Sequence, residues 1–75
     1  MNNQHMQIMG YLERHGSITP MEAFENLHIT KLSTRIGEMV REGAPIARAM
    51  QNVKKADGTS VRYMKYFLAE FKEEN

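Results

Sequence analysis

The sequence predicts an α+β fold in which three helices precede a two-stranded β-hairpin. Apolar residues recur at helical spacing as far as Val40, then at a period of about two after Gly43-Ala44-Pro45. Thr19-Pro20-Met21-Glu22 has the residue types that open a helix, and a second threonine, Thr30, stands ahead of another helical run. Asp57-Gly58 separates two segments of strand-like composition, as a tight hairpin turn requires.

The first helix is expected from about Asn3 to His15. Ile8, Met9 and Leu12, with His5 or Met6 one turn earlier, make its apolar stripe, and Gly16 supplies the stop. Ser17-Ile18 reads as a very short strand with Ile18 turned into the core. In the run that follows, the Thr19 hydroxyl and the Glu22 carboxylate can each satisfy a backbone N–H left open at a helix start. Proline has no such N–H and is tolerated at the first helical position.

A second helix over Pro20 to Leu27 is expected to bury Ala23, Leu27 and part of Phe24, with Ala23 small where helices cross closely. His28-Ile29-Thr30 is the turn. Histidine tolerates the left-handed backbone better than most residues other than glycine. Ile29 would plug the space between helices, and Thr30 would cap a third helix over Lys31 to Glu42. That helix is expected to bury Leu32, Ile36, Met39 and Val40 and to carry Lys31, Thr34, Arg35, Glu38 and Arg41 on its other face. Helices joined this tightly cross steeply, the geometry of a helix-turn-helix.

Beyond Pro45, Ile46 to Lys54 and Thr59 to Ala69 read as strands about the turn Lys55-Ala56-Asp57-Gly58, where Asp-Gly supplies positive dihedral angles. Arg62, Met64, Tyr66 and Leu68 share one strand face, with Tyr66 and Leu68 expected in the core. Val61, Tyr63, Lys65 and Phe67 share the other. Residues 1–75 read as one domain whose charged tail, 70–75, frays.

With 75 residues the chain is near the lower limit for folding on one core. It has no cysteine, so neither a disulfide nor a cysteine-based metal site supports it. His5, His15 and His28 lack metal-ligand spacing and read as solvated helix or turn residues; no metal and no cofactor are expected. The seven methionines read as adaptable core filling. No apolar run approaches the ~20 residues that span a bilayer, and Met1-Asn2-Asn3-Gln4 does not open a leader peptide. A cytoplasmic protein without a membrane partner is expected. The net charge is only +1, but it is unevenly spread. Between His28 and Lys65 eight basic residues stand against three acidic ones, whereas two basic and six acidic residues make up the rest. Such a division points toward a polyanionic partner.

Helix, short strand, helix, turn, helix and hairpin is the order of a winged helix-turn-helix. The sequence resembles the small helix-turn-helix domains of bacteriophages and prophages over roughly Gln7 to Leu68. The resemblance rests on Tyr11-Leu12-Glu13-Arg14-His15-Gly16-Ser17-Ile18-Thr19-Pro20-Met21-Glu22-Ala23, on Leu27-His28-Ile29-Thr30-Lys31-Leu32-Ser33-Thr34-Arg35-Ile36, on Glu42-Gly43-Ala44-Pro45-Ile46 and on Arg62-Tyr63-Met64-Lys65-Tyr66-Phe67-Leu68. His28 departs from it, since members usually carry glycine there. The resemblance implies a DNA-binding protein of a bacterial or phage-infected cell, acting as a transcriptional regulator or recombination accessory factor.

A helix that enters a major groove presents short polar or basic side chains at its N-terminal end, and Thr30, Lys31, Ser33, Thr34 and Arg35 fit that need. For Arg35 two readings stand. It offers a bidentate fork to guanine, worth about 1–3 kcal/mol of discrimination; or it pairs internally with Glu38, Glu42 or helix one. Lys54 and Lys55 at the hairpin tip read either as a wing on the phosphate backbone or as a solvated turn. Arg48 and Arg62, expected to face each other across the hairpin, would extend that surface. The partner is then double-stranded DNA, and a homodimer is compatible with it. A second class of function is a protein-interaction module that binds a host protein through Met50, Val61, Tyr63 and Phe67. No nucleophile, glycine-rich phosphate loop or paired carboxylates with histidine are present in the sequence, so no catalytic residues and no enzyme are expected.

Overall fold

The computed structural model describes residues 3–69; the tail expected to fray lies outside them. Helix α1 spans Asn3–His15, strand β1 Ser17–Ile18, helix α2 Pro20–Leu27, helix α3 Leu32–Arg41, strand β2 Ile46–Lys54 and strand β3 Ser60–Leu68. The strands form a three-stranded antiparallel sheet in the order β1-β3-β2, one strand more than the hairpin alone. Ser17 pairs with Phe67 and Ile18 with Tyr66, so β1 ties the helices to the base of the hairpin.

The start of α2 follows the sequence closely. Glu22 N–H donates to the Thr19 hydroxyl at 3.2 Å, and Thr19 N–H donates to the Glu22 carboxylate at 3.0 Å. Its end is set by His28, whose φ of 58° and ψ of 34° place it in the left-handed region. His28 N–H then reaches the Phe24 carbonyl and Ile29 N–H the Ala23 carbonyl, which closes the helix and aims Ile29 inward. Helix α3 differs at its start: Lys31, not Thr30, occupies the N-cap position, and no side chain caps it.

The core gathers Ile8, Tyr11, Leu12, Ile18, Ala23, Ile29, Leu32, Ile36, Met39 and Tyr66, with Leu27, Ile46, Met64 and Leu68 packed against it. Several expectations are corrected here. Phe24 is 57% and Val40 46% exposed, Val40 at the open groove between α3 and β2. Met6, Met21 and Met50 are also exposed, so among the described residues methionine fills the core only at Met39 and, in part, at Met9 and Met64. His5 is buried rather than solvated.

The hairpin turn carries one positive φ, at Gly58, not two; Asp57 takes an ordinary negative value. Lys55 N–H bonds the Thr59 carbonyl and Gly58 N–H the Lys55 carbonyl, so β3 begins at Ser60. That longer turn sets the register. Lys54 pairs with Ser60, Asn52 with Arg62 and Arg48 with Tyr66, so Arg48 and Arg62 are not cross-strand neighbours.

Candidate nucleic-acid interface

Helical spacing divides the surface of α3 into three rows around its buried stripe. Arg35, Glu38 and Glu42 lie toward α1. There the His5 Nε2 is 2.8 Å from Glu38 Oε1, its Nδ1 is 3.6 Å from Glu42, and Arg35 Nη1 donates to both Glu38 oxygens at 2.8 and 3.0 Å. Arg35 therefore takes the internal partner that was one of its two readings. Thr34 and Arg41 form the outward row, and Ser33, Gly37 and Val40 face β2.

The hydrogen bond to His5, followed by Arg35, holds the Glu38 carboxyl below its ordinary value of 4.5. A carboxyl lowered in the folded state favours folding above its unfolded value, and that contribution is lost as pH falls through the folded one. Glu38→Gln removes this ionisation. Thermal melts at about pH 6 and about pH 3.5 should show a smaller acid-induced fall in the midpoint for the variant than for the wild type. An equal fall would mean that Glu38 contributes nothing to acid sensitivity.

The remaining candidates lie as follows. Thr30, Lys31, Ser33 and Thr34 are exposed side by side at the start of α3. Lys54, Lys55 and Arg62 are exposed at the far end of the hairpin. By the observed register, Arg48, Lys54 and Arg62 all lie on the sheet face that carries Tyr66 into the core beneath α3. Arg48, Lys54 and Arg62 thus share one face of the sheet, while Lys65 lies on the other.

Of the eight basic residues from Lys31 to Lys65, Arg35 is the only one in an ion pair among the described residues. The three acids of that stretch are all engaged. Glu38 and Glu42 turn toward His5, and Asp57 accepts bonds from the Thr59 hydroxyl at 2.7 Å and the Thr59 N–H at 3.0 Å. The Thr59 hydroxyl, then its N–H, lowers the Asp57 carboxyl and keeps it ionised within the turn.

A groove of about 300 Å³ runs between α3 and β2. Ser33, Gly37 and Val40 form one wall, Ala47 and Arg48 the other, and Tyr66 lies at its base. The sequence places Arg48 opposite Arg62 on the wing surface; the register puts it opposite Tyr66 instead, beside α3. The signal was present in the turn: counting its residues as Lys55 to Thr59 places Arg48 opposite Tyr66, beside α3.

Three helices, a left-handed turn after α2 and an antiparallel hairpin follow the order expected of a winged helix-turn-helix. A profile of the winged helix-turn-helix domain matches residues 3–71. The chain belongs to the winged helix-turn-helix family. No curated protein sequence matches it. Winged helix-turn-helix domains are in general DNA-binding, non-enzymatic modules, and α3 stands in the position of the recognition helix with β2 and β3 as the wing. Among the described residues, no helix of this winged helix-turn-helix domain is long and apolar enough to cross a membrane.

Proposed function

We propose that the chain binds double-stranded DNA as a small phage-type protein, either a transcriptional regulator or a recombination accessory factor. In this reading α3 lies in the major groove and the hairpin tip rests on the backbone. The observation that carries it is the imbalance of partners. Seven cations between Lys31 and Lys65 have no ion-pair partner among the described residues, while the acids interspersed with them are engaged by His5, Arg35 and Thr59. Unpaired cations in excess over the acids among them attract a polyanion, and each neutralised phosphate releases counterions. Phage origin is supported by the resemblance of the sequence, and a cytoplasmic site of action accords with it.

Fluorescence anisotropy with a labelled duplex tests the proposal. Binding should be clear at low salt and fall steeply as salt rises, with log K against log salt linear. No binding at low salt, or binding indifferent to salt, would overturn it. A second reading is an interaction module for a host protein, favoured by Met21, Phe24 and Val61 at 66%, 57% and 40% exposure. The same apolar positions are available to a second copy of the chain.

A further inference from the structure

Strand β1 is stopped by the sequence that follows it. Thr19 caps α2 and Pro20 opens it, so the chain leaves β3 once Ser17 has paired with Phe67 and Ile18 with Tyr66. Proline also has no N–H with which to extend the pairing. The bonds at the two ends of the hairpin, Lys55 N–H to the Thr59 carbonyl and Ala69 N–H to the Pro45 carbonyl, fix the phase of the β2–β3 ladder. Because that pattern alternates, Val61, Tyr63, Lys65 and Phe67 turn their backbone groups toward β2, while Arg62, Met64 and Tyr66 turn theirs the other way. Tyr66 meets Ile18 there. The N–H and C=O of Arg62 and Met64 meet no group of the chain on that side among the described residues. Between this open edge and the start of α2 lies a notch of about 350 Å³, lined by Thr19, Pro20, Met21, Glu22, Val61 and Tyr63. Met21 is 66% and Val61 40% exposed. The Glu22 carboxylate is held by Thr19 N–H, whereas Arg62 and Lys65 on the strand have no ion-pair partner among the described residues.

We propose that this notch is a strand-addition site for an acidic, extended segment of a partner protein. The segment continues the line of β1, antiparallel to β3, and exchanges main-chain hydrogen bonds with Arg62 and Met64. Alternation then sets its side chains. The residue opposite Tyr63 shares the sheet face of Tyr63 and Val61 and enters the notch, so it is apolar. The residue opposite Arg62 stands on the other face beside the guanidinium, so it is a carboxylate. Open backbone groups require a strand, and uncompensated cations require that it be acidic. A second copy pairing through the same edge would instead bring Arg62 and Lys65 against their own kind. The inference rests on the protein-interaction reading, gives it a site, and is tested without DNA.

Backbone amide resonances of the full chain, followed by NMR while a capped peptide of alternating glutamate and valine is added to about 1 mM, test the site. The amides of Arg62 and Met64 should shift and saturate. The same peptide N-methylated at its glutamates, whose N–H groups face β3, should bind about tenfold more weakly, as should a peptide of alternating lysine and valine. Met21→Glu places an acid in the first turn of α2, which a helix start tolerates. It should leave the melting midpoint unchanged and weaken the glutamate peptide about threefold. Unmoved Arg62 and Met64 resonances, or equal binding of the N-methylated peptide, would overturn this site; either would leave the duplex titration, and a partner at Phe24, untouched. Movement of those two amides by duplex and not by peptide would also overturn it, since the edge would then belong to nucleic acid.

Discussion

Ile29→Ala is expected to unfold much of the protein at room temperature. Ile29 is 1% exposed and reaches the core from the turn between α2 and α3, where Ala23 leaves space for it. Its position is fixed from both sides: His28 takes the left-handed conformation, and Ile29 N–H is bonded to the Ala23 carbonyl at 3.0 Å. The surroundings therefore have little freedom to collapse into the vacated volume. Truncating a buried isoleucine to alanine costs about 2–5 kcal/mol. A single core in a chain below about 80 residues rarely supplies more than about 3–5 kcal/mol, so the loss rivals the whole stability. Circular dichroism melts and urea titrations read the effect. Val40→Ala is the control, since Val40 lies 46% exposed and its truncation should move the midpoint little. A variant Ile29→Ala as stable as the control would mean that the turn does not anchor the crossing of the helices.

The parts of this fold that were legible in the sequence are those encoded by neighbours. The capping box between Thr19 and Glu22 is a contact three residues long, and it fixes the start of α2 where the residue types say it should. The same local logic misplaced the start of α3. Thr30 has the right chemistry for a cap, but Ile29 must reach the core first, and the chain enters α3 at Lys31 with φ −121° and ψ 56°. The register of the hairpin was lost by a similar margin. Asp57-Gly58 suggested a tight turn with two positive dihedral angles, whereas the strands part after Lys54 and rejoin at Ser60. What no local pattern encodes is the link between His5 and Glu38, which are 33 residues apart. Glu38, held by that contact, also receives Arg35, and the proposed DNA surface then rests chiefly on Thr30, Lys31, Ser33 and Thr34 with Lys54, Lys55 and Arg62 on the hairpin.

Two pairs of substitutions should separate reading of sequence from grip on the backbone. Lys54→Ala with Lys55→Ala removes cations from an exposed turn whose backbone is held independently by Gly58 and the Asp57–Thr59 bonds. The fold should survive. Affinity should drop by a similar factor on every duplex, and the slope of log K against log salt should fall by about two. Lys31→Ala with Thr34→Ala acts at the opposite pole, on exposed side chains at the entry of α3. There the expected loss is selectivity: discrimination between a preferred and a scrambled duplex should shrink by about 1–3 kcal/mol per base contact, roughly ten- to a hundredfold. Arg35→Ala supplies the third arm, because its guanidinium is already spent on Glu38 at 2.8 Å. Its removal should appear in the melting midpoint and hardly at all in the anisotropy titration. If Arg35→Ala instead abolishes selectivity while Lys31 and Thr34 prove dispensable, the ion pair must open on binding, and the α1 side of α3 faces the bases.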